Sequence, residues 1–342
     1  MRGRKFKEEN TMKKLLILTV ISLLVFSVPA PQAKAAEKVV IKLGHGHTAT
    51  HSYQQGMEEA RKYLEAKSGG RLTFRFFPSG QLGDERQMQE ALSAGTLEMT
   101  ITGLVNLYDP AFALFDFPFL YDNRKQIKNV MYSGLMEDMN VNVVKKGIRI
   151  LGLMEVGFRM VTSNKPIKSP ADLKGFKIRT PESPAQIETF KALGALPTPM
   201  SFGEVYGALQ LGVIDGQENP LENIYNGKLY ETQKYVTQTR HIYNFAYVLY
   251  SEPLWKKLSP EDQKLIREAI KFGSLWQIDW AENNESKYAS MLKEKGMEFV
   301  DVDREAFKKG AAAAYESKFV KDLEPRASKI LAEIRRIVAE TK

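Results

Sequence analysis

The sequence predicts an α/β fold organised as two units. Three observations carry that reading. From Val39 onward, short apolar strands alternate with amphipathic helical stretches, the pattern of β-α-β crossovers around a parallel sheet. After Gly157 the alternation starts again as a second, smaller β-α-β-α-β series. The chain of 342 residues is also long enough for two cores.

The elements follow in order. Val39 to Leu43 is an apolar strand that ends in Gly44-His45-Gly46-His47. A helix then places Tyr53, Met57, Ala60 and Leu64 on one face and stops at Gly69-Gly70. Leu72, Phe74 and Phe76 alternate as a second strand. Pro78 to Arg86 turns into a second helix ended by Gly95, and Leu97 to Thr102 is a third strand. The run Phe112 to Tyr121, broken by Pro118, reads as core and domain contact. A helix over 124–140 and a strand from Ile148 to Glu155 complete the first series.

In the second series Arg159 to Thr162 is a strand and Asn164-Lys165-Pro166 a turn. Phe176 to Arg179 is the next strand, 183–193 a helix closed by Gly194, and Pro197 to Pro199 a short extended piece. Ser201 and Glu204 form a capping box heading a helix that carries Val205, Leu209 and Leu211. Val213 to Gly216 is a strand, and Gln217-Glu218-Asn219-Pro220 leads into a helix. Two extended apolar pieces, Tyr235 to Thr239 and Tyr243 to Tyr250, carry the chain back to the first sheet. Ser259-Pro260 opens a helix to about Glu294, long enough to lie across both units. Met297 to Val302 is a late strand before a helical, charged tail. The first unit thus takes 37–156 and about 245–285, the second 157–244 and about 286–342.

The N-terminal stretch reads as a targeting segment. Met12-Lys13-Lys14 is a positive start, Leu15 to Val28 is apolar but short for a membrane span, and Ala33-Lys34-Ala35-Ala36 offers a cleavage site. Residues 12–36 are expected to be a secretory signal and 1–11 an over-long gene start; an uncleaved anchor is the alternative. Residues 1–36 hold seven basic and two acidic side chains, so they supply +5 of the formal +8 and leave the rest at +3. That balance, with no basic stripe, is no nucleic-acid signature. The chain has no cysteine, which excludes disulfides, thiolate chemistry and a lipid-anchored cysteine.

The organising stretch is Ala171 to Pro181. In its strand, Phe176 and Ile178 share one face and Lys177 and Arg179 the other. Arg179 therefore stands at a strand's carboxyl end, where open α/β sheets place ligands. A guanidinium is always charged, and its planar fork fits a carboxylate. Arg159 and Asn219 occupy comparable places beside their own strands. The residues leave two readings: the three converge on an organic anion, or Arg179 pairs with a surface acid.

His45, His47 and His51 form the most enzyme-like group, since alternate residues of a strand can share a divalent metal. The alternative function is therefore a secreted metal-dependent hydrolase, although such a site also wants a positioned carboxylate. No nucleophile elbow, P-loop, zincin motif or dinucleotide fingerprint is present, and no cofactor is expected.

Five segments in order carry a resemblance: 78–86 (Pro-Ser-Gly-Gln-Leu-Gly-Asp-Glu-Arg), 159–166 (Arg-Met-Val-Thr-Ser-Asn-Lys-Pro), 171–181 (Ala-Asp-Leu-Lys-Gly-Phe-Lys-Ile-Arg-Thr-Pro), 197–210 and 213–220 (Val-Ile-Asp-Gly-Gln-Glu-Asn-Pro). Together they resemble the substrate-binding proteins of TRAP (tripartite ATP-independent periplasmic) transporters, dicarboxylate type. The resemblance implies a two-domain periplasmic-binding-protein-like fold with a cleft between the domains, crossing hinge strands and one long spanning helix. It implies a periplasmic monomer that binds a small organic acid and hands it to membrane permease subunits driven by an ion gradient. It implies that Arg179 grips the carboxylate, Arg159 assists, Asn219 hydrogen-bonds the ligand and Phe202 packs on it. His47 and Glu85 complete the expected ligand contacts. Relatives that bind sialic acid carry an acid just after the third strand; here Thr100-Ile101-Thr102-Gly103 has none.

Overall fold

A computed structural model describes residues 38–341; the segment read as a signal lies outside the described residues. Eleven strands form two mixed sheets. The first holds β1 (Val39–His45), β2 (Leu72–Phe77), β3 (Met99–Thr102), β4 (Ile148–Phe158) and, from later in the chain, β10 (Tyr243–Ser251), in the order β2-β1-β3-β10-β4. The second holds β5 (Met160–Ser163), β6 (Lys177–Thr180), β7 (Leu196–Pro199), β8 (Gly216–Asn219), β9 (Tyr235–Thr237) and β11 (Glu298–Val300), in the order β11-β9-β5-β8-β6-β7. Each sheet centres one lobe. In the first, β1 pairs parallel with β2 and β3, as the opening crossovers require. The returning β10 is antiparallel to β3 and β4.

Two chain crossings join the lobes. β4 passes almost directly into β5, and β9 leads to β10. The Arg159 N–H donates to the Ile242 carbonyl at 2.8 Å, which pairs the two crossings at the hinge. A third link is the helix Pro260–Glu294, capped by Ser259 with Pro260 in its first turn. Its Ile266, Ala269 and Ile270 join the first lobe's core, and its Tyr288 and Leu292 join a core of the second.

Several boundaries differ from expectation. The helix expected over 124–140 is two, Arg124–Met131 and Gly134–Val144, broken at Tyr132-Ser133, where the chain turns and the second helix starts from Ser133. β4 runs on to Phe158, because Gly157 takes φ +105°, a conformation that lets the strand bend without ending. The strand expected at Val213–Gly216 lies at Gly216–Asn219 instead. Val213 is exposed and forms part of the preceding turn. Gly216 begins the pairing because only glycine fits there: a Cβ would meet the Thr162 carbonyl at 2.2 Å. Leu211, expected on the helix, lies past the end of Val205–Gln210 and is 79% exposed. Of the two pieces expected to return to the first sheet, only β10 does; β9 pairs with β5 and β11. The second sheet, expected to be the smaller, has six short strands against five. The C-terminal helix Arg326–Glu340, grouped with the second unit by sequence, buries Ile330, Leu331 and Ile334 among Val105, Phe112 and Ile127 of the first.

Candidate functional site

A cleft lies where the two lobes meet, with a cavity of about 50 Å³. The first lobe contributes His47 from the end of β1, Tyr53 from the helix Ser52–Ser68, and Glu85 from the first turn of the helix Glu85–Ala94. The second contributes Arg179 from the end of β6, Phe202 from the turn before Val205, and Asn219 from the end of β8. Arg159 lies at the crossing between them. All six residues singled out by sequence therefore line one cavity.

Arg179 is buried at 3% exposure, yet among the described residues no carboxylate pairs with it. Its Nε and Nη2 both donate to the Met200 carbonyl, at 3.1 and 2.7 Å. This anchors one edge of the fork and leaves the outer N–H groups for another acceptor. Burial, reinforced by the nearby Arg159 charge, pushes the guanidinium down to about 10, still charged at neutral pH.

Arg159 is different. Its guanidinium meets the Glu218 carboxylate through Nε and, at 2.7 Å, through Nη2. His241 Nε2 lies 3.0 Å from the same carboxylate, and its Nδ1 lies 2.7 Å from Thr239 Oγ1. Burial alone would raise the Glu218 pKa, but the Arg159 charge and the His241 bond overcome it and hold the group below its ordinary range. Burial lowers the His241 pKa despite this neighbour. Arg159 thus faces the cleft with its charge already answered.

Glu85 brings an acid where the sequence after β3 has none. Its carboxyl reaches Thr102 and the Gly103 N–H; burial raises its pKa, and the Arg179 charge opposes the rise. The acid arrives from a different helix, so a search along β3 could not find it. His47 stacks on His51, with centroids 4.2 Å apart, and meets Phe202 of the other lobe at 4.8 Å. Burial pushes the His47 pKa well below its ordinary value, so the ring is neutral. This ring pair bridges the two lobes across the cleft.

The histidines do not form the metal centre that the sequence suggested. Among the described residues no group of three His, Cys, Asp or Glu side chains could hold a metal ion. His47 and His51 are stacked, both His51 nitrogens are engaged by Tyr53 and Asn223, and His45 does not line the cleft. Tyr53, Gln186, Asn223 and Asn244 also line it and were not singled out by sequence. Asn223 enters from the helix Leu221–Asn226, one connection beyond Asn219, and donates its Nδ2 to Asn219 Oδ1 at 3.1 Å. No helix among the described residues is long and apolar enough to cross a membrane.

A family model described as bacterial extracellular solute-binding protein, family 7, matches residues 43–322. Among curated relatives, the 2,3-diketo-L-gulonate-binding periplasmic protein of Escherichia coli is 32% identical over 85% of this chain and 90% of that protein. A TRAP periplasmic solute-binding protein of Bordetella bronchispeptica superposes with a TM-score of 0.83 at 36% identity, covering 89% of this chain and all of that one (100%). Another, from Roseobacter denitrificans with bound L-galactonate, gives 0.82 at 32% identity over 86% and 99%.

Proposed function

The chain belongs to family 7 of the bacterial extracellular solute-binding proteins, the ligand-binding and non-enzymatic components of TRAP transporters, and from that premise we propose that it captures a hydroxylated monocarboxylate between its lobes. One observation carries the reading: Arg179 is a buried guanidinium with a free edge in the cleft and no acid of its own among the described residues. An ion buried this way costs several kcal/mol of desolvation unless an anion completes it. A ligand carboxylate does so with charge-assisted bonds.

The charge pattern narrows the ligand. Arg159 is neutralised by Glu218, and Glu85 sets a carboxyl on the opposite wall. Among the described residues lining the cleft, one cation is left to answer one carboxylate, and a second carboxylate would face Glu85. The other lining groups, Asn219, Asn223, Asn244 and Gln186, suit hydroxyls. The dicarboxylate emphasis of the sequence reading thus gives way to sugar acids, the kind of ligand named for the Escherichia coli and Roseobacter relatives. His47, Tyr53 and Glu85 hold the ligand from one lobe and Arg179, Phe202 and Asn219 from the other, so binding favours closure. The closed protein then delivers its cargo, in the periplasm, to an ion-driven permease. The lobes of this reading follow the sequence division except for the C-terminal helix Arg326–Glu340, which packs on the first, and are hinged at 156–159 and 240–245.

A thermal-shift panel of L-galactonate, L-gulonate, 2,3-diketo-L-gulonate and succinate tests this, with wild type and Arg179→Ala side by side. An acid at 100 times its dissociation constant adds about 2.7 kcal/mol to stability. A sugar acid is expected to stabilise the wild type and not the variant. Stabilisation by succinate alone would overturn the monocarboxylate reading, and equal shifts in both proteins would overturn the role of Arg179.

A further inference from the structure

Seven hydrogen bonds run in one direction from the first lobe to the far side of the second sheet. The Tyr53 N–H donates to His51 Nδ1 at 3.2 Å, and His51 Nε2 donates to Asn223 Oδ1 at 2.9 Å. Asn223 Nδ2 donates to Asn219 Oδ1 at 3.1 Å, and Asn219 Nδ2 to Gln217 Oε1 at 2.6 Å. Gln217 Nε2 donates to the Thr162 hydroxyl at 3.0 Å, which donates to Gln233 Oε1 at 3.1 Å. Gln233 Nε2 ends the series on the Thr232 carbonyl at 3.1 Å. His51, Asn223, Asn219, Gln217, Thr162 and Gln233 are all at most 4% exposed.

Backbone groups fix the polarity at both ends. The Tyr53 N–H can only donate, so Nδ1 of His51 carries no proton and Nε2 carries one. The Thr232 carbonyl can only accept. Every amide between them has a single orientation that leaves no donor facing a donor. Asn219 and Asn223 line the cleft, and in this orientation their oxygens are held within the series. Each keeps one amide hydrogen for a ligand. Flipped, they would present oxygens to an oxygen-rich anion.

We propose that His51 is a positioning residue for the cleft: its neutral, Nε2-protonated ring sets Asn223 and, through it, Asn219 as donors toward the bound ligand. The site then selects ligands that offer acceptor oxygens at these amides, and residues from both lobes define its donor pattern. This rests on the cleft being the organic-acid site proposed above. The competing account is that His51 only caps the helix Ser52–Ser68, whose first turn it also serves.

Two substitutions separate the accounts. Asparagine at 51 keeps an acceptor for the Tyr53 N–H but is too short to reach Asn223. Glutamine reaches Asn223 with an amide donor and gives up the cap. Affinities are measured by calorimetry with whichever panel acid stabilises the wild type. His51→Asn loses the ring packed on His47 and Tyr53, so it is expected to melt lower, and to lose roughly tenfold in affinity, the effect of an unsatisfied buried amide. His51→Gln is expected to melt lower as well but to bind within about threefold of wild type, since its donor is retained. The opposite pattern of affinities overturns the proposal. A ligand-free measurement accompanies it: long-range ¹H–¹⁵N spectra of the wild type should show His51 as the neutral Nε2–H tautomer. An Nδ1–H tautomer, or a doubly protonated ring at neutral pH, also overturns it. If no acid stabilises the wild type, the organic-acid reading fails, while the spectrum still decides the orientation of the series.

Discussion

Arg159 and Arg179 stand twenty residues apart in sequence and share one cleft, but they belong to different kinds of site. Arg159 is closed within the protein by Glu218 and, through it, His241 and Thr239. Arg179 is held along one edge by a carbonyl and left open along the other. Both guanidiniums lie out of water, so both need anions. The protein supplies one, and the other is left for a ligand. A buried cation therefore marks a binding site only when the surrounding residues do not already satisfy it.

The largest effect expected from breaking this contrast is on stability. Arg159→Met leaves the Glu218 carboxylate buried without its cation, at a cost of about 3–5 kcal/mol. Adding Glu218→Leu removes the stranded charge and recovers most of the loss. Urea unfolding with unchanged slope measures both; a single variant as stable as wild type would mean that the pair is not closed in solution. Arg179→Ala should act the other way round. Ligand affinity falls by about 2–5 kcal/mol, as for truncating one side of a buried charge pair. The ligand-free protein is not weakened in proportion, because among the described residues no acid loses a partner. Calorimetry and urea unfolding of the same preparation test the split.

A smaller effect comes from Asp116, buried beside the same cluster. Burial raises its carboxyl to about 7, with a bond to Asn244 opposing the rise. A carboxyl whose pKa is higher folded than unfolded holds its proton more tightly when folded. Its contribution is complete below the ordinary value of 3.8 and is lost as pH rises to about 7. Stability should therefore decline over that window, and Asp116→Asn should flatten the decline. An unchanged slope in the variant would assign it to another group. The smallest effect is expected at Ser201, whose N–H and hydroxyl both donate to Glu204, at 2.9 and 2.6 Å. This turn follows Met200, the seat of Arg179, and presents Phe202. Ser201→Ala should lower stability by about 1 kcal/mol and affinity only a few-fold; a loss as large as that of Arg179→Ala would show that the turn carries the anchor.

The sequence by itself determined the alternation of elements, the long helix to about its end, the helix stops at Gly69 and Gly95, and six of the residues that line the cleft. Those features depend on local conformational preference and on short motifs, which are written along the chain. Tertiary structure alone decided the pairing of charges. Glu218 lies 59 residues from Arg159 and selects it over Arg179, although both strands border its own. Tertiary structure also decided the register of β8, where Gly216 fits against Thr162 and Val213 does not pair. It turned His51 from a candidate metal ligand into a hydrogen-bonding link, because stacking on His47 and contact with Asn223 come from residues that meet only after folding. Electrostatic and hydrogen-bond partners are chosen by distance in space, and across 172 residues, as between His51 and Asn223, sequence spacing carries no record of it.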